Sequence, residues 1–373
     1  MRLAWLVVGA FAACVLTTPL GHAAEEPLGV LLGMRLGASS DDPSEFPVAH
    51  RYRTLWIVKS GSAVRLQASA NVLVVPRQSG FLRLGSTELR QSESFSEERP
   101  WISTRPGVPV HASDLEAGRC QGRSFTQVDF ISGEYLAYSS GSKSNCGDKG
   151  YDWFNPYVAR IAALQGQAFS ANADWVEVWT PFGPQGAVAL QDAFQRLKKK
   201  VGHANVAMGV DPDISQRSLE SLRAEWGLTQ QRGIVTAFGY ARGGLGEDVF
   251  MERLPVTPSP PAFGTHSRPF DWAAVGKAVP GAIDAFRSPL GDLLVVVTSD
   301  EVLTYARSSP PLGVPVLRVP LGRIHDSGET SWWGTSRGTA PVMVEWARGG
   351  YVAQWSRAVE ALSRHAPPQI LPK

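Results

Sequence analysis

A mainly β fold built from small repeated antiparallel sheets is what this sequence predicts, and three observations carry the prediction. Short apolar runs rich in Val, Leu and Ile recur along most of the chain, separated by Gly, Ser, Asn and Pro. The 37 glycines and 12 tryptophans among 373 residues suit a turn-rich chain whose aromatics fill the space between strands. A short unit, aromatic or Val, then a small residue, then Arg, then a turn, comes back four times after an apolar run.

Composition narrows the function classes. With 36 basic and 34 acidic side chains the formal charge is +2, too weak a field to gather phosphates or anionic lipid, so a nucleic-acid role has no electrostatic support. Hydrophobic residues at 43% and charged residues at 19% describe a globular chain, long enough for two or three domains or one large repeated β architecture.

Taken in order, residues 1–24 read as a secretory signal. Arg2 supplies the positive charge, Leu3 to Leu16 the apolar stretch, and His22-Ala23-Ala24 the small-residue end before Glu25-Glu26. Thr17-Thr18-Pro19 breaks the run before it reaches membrane-spanning length, so no transmembrane span is expected in the mature chain. Phe11-Ala12-Ala13-Cys14 resembles a bacterial lipobox, which makes a lipid anchor at Cys14 the alternative to simple cleavage. The expected location is the periplasm or the medium.

Residues 25–50 read as a linker, Ser/Asp/Gly-rich from Arg35 to Glu45. Residues 51–180 form a β region: "TLWIVK", "AVRLQ", "NVLVVP" and "GFLRLG" fit four short strands, and "TQVDFISGEYLAYSS" a hairpin turning at Ser132-Gly133. Removal of the signal leaves Cys120 and Cys146, an even count that reads as one disulfide in an oxidising compartment.

The period changes over residues 181–231, the expected helical insertion. Leu190, Phe194, Leu197 and Val201 recur at helical spacing up to Gly202, and a second helix is expected from an Asp213 cap through Leu219, Leu222 and Trp226 to Gly227. Lys198-Lys199-Lys200 reads as a solvated helix face. A β hairpin follows at 232–256, a Pro-rich connector at 257–270, and a C-terminal β region at 271–373 with "AVEALSRH" as a terminal helix.

The recurring unit is Tyr240-Ala241-Arg242, Tyr305-Ala306-Arg307, Trp346-Ala347-Arg348 and, more loosely, Val75-Pro76-Arg77. Arg307 and Arg348 are 41 residues apart, which matches the roughly 40–45 residues of a four-stranded propeller blade. The fold class expected is therefore β-propeller-like, with about six or seven units, some degenerate, and a two-helix insertion. Two separate β domains with a helical linker region are the alternative.

No stretch forces a particular reaction. Gly334-Thr335-Ser336-Arg337-Gly338 spells a nucleophile-elbow pattern, but a strand-like segment follows Ser336 where a helix is required, and only Glu345 or Glu360 with His365 could complete a triad. Gly243-Gly244-Leu245-Gly246 lacks dinucleotide spacing, and the seven His are never paired at i, i+4, so no cofactor and no metal are expected. Tryptophans are the better lead. Trp332 and Trp333 are adjacent, so an extended chain turns one outward, while Trp175 and Trp179 share a face.

These readings describe an exported binding or scaffold protein that recognises a protein or glycan through loops at one end of the scaffold. The alternative is an extracytoplasmic hydrolase or lyase acting on polysaccharide or peptidoglycan, with carboxylates such as Asp129, Glu134 and Asp152 converging.

Overall fold

A computed structural model describes residues 26–36, 51–90, 95–106, 108–112, 121–146, 149–169, 179–221, 225–242, 249–256, 270–307, 311–321, 339–365, 368 and 370–372. The chain is mainly β, with small antiparallel sheets set in a propeller-like ring.

The first sheet joins both ends of this region. Strands β1 (Leu28–Leu36), β2 (Arg51–Ser60) and β3 (Ala63–Ala70) pair in succession, and β19 (Ala340–Arg348) pairs with β1 from the other side. The second sheet is β4 (Leu73–Arg77), β5 (Gly80–Arg90) and β6 (Phe95–Ser103), rimmed by the short β7 (Val110–Ala112), β11 (Gln167–Ala168) and β20 (Ile370–Pro372). The third is β8 (Gln121–Ile131), β9 (Tyr135–Cys146) and β10 (Lys149–Arg160), joined to the second by a parallel ladder of Phe95 to Glu97 against Gly122 to Ser124. The fourth comprises β12 (Glu225–Gln231), β13 (Ile234–Arg242) and β14 (Val249–Arg253). The fifth comprises β15 (Ala282–Arg287), β16 (Leu294–Thr298), β17 (Glu301–Tyr305) and β18 (Leu317–Pro320).

Successive sheets bury their apolar faces against one another. Val30, Leu32, Ile57 and Val344 of the first meet Phe286, Val295 and Val297 of the fifth. On the opposite face Leu31, Trp56 and Met343 meet Leu73, Val75 and Leu82 of the second and Val128 and Tyr138 of the third. Phe130, Ala137 and Val158 of the third meet Trp226, Leu228 and Val235 of the fourth. Strand β19 lies against β8, β12 and β15, and β12 against β8, so these four line the middle of the ring. We call them the inner strands.

The helices are α1 (Ile161–Leu164), α2 (Trp179–Phe182), α3 (Pro184–Ala207), α4 (Pro212–Ser221), α5 (Trp272–Ala278) and α6 (Gly350–Ser363). Helix α3 puts Phe194, Leu197 and Val201 against Ala241 of β13, and Arg196 and Lys200 both bind Glu252 of β14, at 3.0 and 2.6 Å. Helix α6 covers the first sheet, where Ser356 Oγ accepts the Trp56 Nε1–H at 2.8 Å.

Several expectations are corrected. Among the described residues the ring has five sheets, not six or seven units. The recurring aromatic-small-Arg unit does not mark matching places: Trp346 lies on an inner strand, Tyr240 on the second strand of its sheet and Tyr305 on the third. It marks strand ends in general, because an Arg leaving a sheet before a Gly or Ser turn suits any hairpin. Leu28–Leu36, placed in a linker, is β1, whose Leu and Val pack on two faces at once. Helix α3 runs through Gly202 to Ala207, and a positive φ falls at Gly209 instead. The cap of α4 is Asp211, whose Oδ1 accepts the Asp213 N–H at 2.9 Å, with Pro212 at the first helical position. Trp226 and Gly227, expected in a helix, belong to strand β12, and the terminal helix expected at "AVEALSRH" begins earlier, at Gly350, taking Tyr351 to Trp355 out of the C-terminal β region.

Candidate functional site

Three inner strands carry one acid inside an apolar run: Val128-Asp129-Phe130 on β8, Ile283-Asp284-Ala285 on β15 and Val344-Glu345-Trp346 on β19. An acid there is costly to bury, so each must be met by partners or lose its charge. The three solve this differently.

Asp129 is the extra residue of a bulge, since Val128 pairs with Tyr138 and the next pair is Phe130 with Ala137. Its Oδ1 accepts from Arg35 Nη1 at 2.8 Å and from Gln127 Nε2 at 3.0 Å, and its Oδ2 accepts from the Ser139 hydroxyl. Arg35, at the far end of β1, also donates to the Val128 carbonyl at 2.9 Å. The two charged side chains are only 3% and 5% exposed. Burial pushes the Asp129 carboxyl up while Arg35 and the hydrogen bonds pull it back. Tyr52 lies beside them, its Oη accepting the Val128 N–H at 3.1 Å, and burial with the nearby Glu98 pushes its phenol up.

Among the described residues Asp284 meets no cation. Its Oδ1 accepts the N–H groups of Gly233, at 2.5 Å, and of Ala285, at 2.8 Å, while Oδ2 is buried without a hydrogen-bond partner. Burial raises this carboxyl to about 7. Glu345 faces the same way as Met343 and Ala347, opposite Leu31 of β1, and it is partly enclosed. Burial alone raises it to about 8.

Of the carboxylates expected to converge, Asp129 and Glu134 stand apart. Asp129 is closed off by Arg35, Gln127 and Ser139, whereas Glu134 is exposed at the β8–β9 turn and Asp152 sits on β10 opposite Lys143. Of the triad candidates, Glu345 is on β19, while Glu360 and His365 belong to α6 and the turn after it, where Glu360 binds Arg364 and His365 bonds the Ala361 carbonyl at 2.6 Å. Ser336 lies outside the described residues, as do Trp175, Trp332, Trp333, Cys14 and Cys120. Trp179 opens α2 and Cys146 ends β9, and the side chains of both are outside the described set. Among the described residues no group of His, Cys, Asp and Glu is arranged to hold a metal ion.

Sequence reasoning missed Arg35 and Asp284 as site residues, and considered Glu345 only as a partner for Ser336. The signal available was the lone acid in each apolar run, and its cue to an inner strand needed the ring. The sequence matches no family model, and comparison with the curated proteins finds no match.

Proposed function

We propose that this chain is an exported binding or scaffold protein that presents loops at one end of a propeller-like ring to a protein or glycan. The carrying observation is the closure of Asp129: the best-defined carboxylate of the inner strands is buried and bonded to Arg35, Gln127 and Ser139, which shuts it off from a reacting group. Trp332, Trp333, Trp175 and Trp179 are the proposed contact residues, offering flat apolar faces to sugar rings or partner side chains. The N-terminal pattern supports export to the periplasm or medium, with a lipid anchor at Cys14 as the variant arrangement. Among the described residues no helix is long and apolar enough to cross a membrane. A Cys120–Cys146 disulfide is supported by the ladder beside it, in which Gln121 pairs with Asn145.

The test is binding of the purified mature protein to a panel of cell-wall glycans, with hydrolysis followed in parallel. Binding without turnover, lost in Trp332→Ala/Trp333→Ala, is expected; turnover would overturn it. One observation favours the hydrolase or lyase reading: Glu345, a partly enclosed carboxyl raised to about 8, would hold the proton a general acid needs. In that reading Glu345→Gln abolishes turnover of a polysaccharide that the native protein cleaves.

A further inference from the structure

The fourth and fifth sheets meet differently from the others. Among the described residues strand β15 ends its sheet with one edge outside any ladder, and the β12–β13 turn docks on it. Gly233, at φ +72°, comes so close that an added Cβ would stand 2.6 Å from the Ala285 carbonyl oxygen and 2.9 Å from the Phe270 ring. The bulge between Ala282 and Asp284 sets the Asp284 carboxyl where it accepts the Gly233 N–H. This is a side chain 2% exposed whose Oδ1 takes two backbone donors and whose Oδ2 takes none.

Among the described residues charged groups stand on the neighbouring elements, and none bonds to it. Arg232, in the same turn, lies over the Trp272 ring at 5.4 Å. Asp271 caps α5, accepting the Ala274 N–H, and Lys277 on that helix is exposed. Asp292 accepts from Ser288 at 2.6 Å. Arg287 ends β15 itself, and Glu345 and Arg348 lie on β19. A buried carboxylate without a cation is costlier than the neutral acid, which keeps Oδ1 as acceptor for both N–H groups.

We infer that Asp284 is a proton-operated latch, closed between the fourth and fifth sheets when protonated and loosened when ionised. Ionisation is relieved by opening, because a separated Asp284 regains water. The ring therefore yields at this seam as the medium turns from mildly acidic to alkaline, and the seam is where a change in external pH would reach the loops.

Hydrogen exchange read by mass spectrometry on the full chain tests this. After correction for the intrinsic rate, protection of peptides spanning 228–238 and 282–297 falls roughly tenfold or more between pH 5.5 and 8.5, while peptides of β1 and β2 keep theirs. In Asp284→Asn, which retains the acceptor and cannot ionise, the fall disappears. A loss spread evenly over the wild-type protein would overturn the latch without needing the variant, and so would an equal fall in D284N. Neither outcome bears on glycan or protein binding, which is scored separately.

Discussion

Arg35 and Asp129 hold two sheets together with charges that neither could keep alone. Arg35→Met leaves Asp129 buried without its cation, and a loss of about 3–5 kcal/mol is expected, measured by urea unfolding. The double variant Arg35→Met/Asp129→Leu should recover most of that loss, since it removes both desolvated charges together. Glu345 gives the opposite pH signature to an ion-paired acid. Its carboxyl sits at about 8 in the folded protein, against about 4.3 in an unfolded chain. The folded state therefore binds the extra proton, and this contribution to stability is full below about pH 4 and lost as the pH rises towards 8. Thermal melts of Glu345→Gln should flatten that decline; a melt that still falls with the wild-type slope would assign the decline to other groups.

At the scale of elements, close approach makes Gly29 a strict position. An added Cβ on Gly29 would lie 2.1 Å from Trp56, whose ring is held by Ser356 and lies tilted at 41° to Trp355, centroids 5.7 Å apart. Gly29→Ala should therefore destabilise by about 1–3 kcal/mol through overpacking, visible as a lower denaturation midpoint. The proposed Cys120–Cys146 bridge closes a loop of 27 residues, for which about 3.5 kcal/mol is expected. A reductant should lower the melting temperature, and Cys120→Ser/Cys146→Ser should melt alike with or without it.

Strands were legible wherever alternation met a turn residue: β2 to β5 and the β8–β9 hairpin fall where "TLWIVK" to "GFLRLG" and Ser132-Gly133 place them. Strand β1 was not, because Leu-Gly-Val-Leu-Leu-Gly is buried on both faces and shows no alternation. Trp226 misled for the reverse reason, since Leu219, Leu222 and Trp226 keep helical spacing while the chain has already turned into β12. The pairing of Arg35 with Asp129 spans 94 residues, and no local pattern reports a contact of that range.

Across the whole molecule, the ring depends on β19 returning to β1. A chain truncated before Ala340 leaves one side of β1 unpaired and removes Met343 and Val344 from two cores, so circular dichroism and exchange should report a disordered first sheet. The same pairing decides how the protein bears tension. Leu28 is opposite Arg348, so both strands leave the ladder at one end. Pulled apart from there, the hydrogen bonds peel one after another instead of sharing the load. A tether on the N-terminal side and a partner beyond Arg348 would thus load a closure that opens at low force and can zip shut again when slack returns.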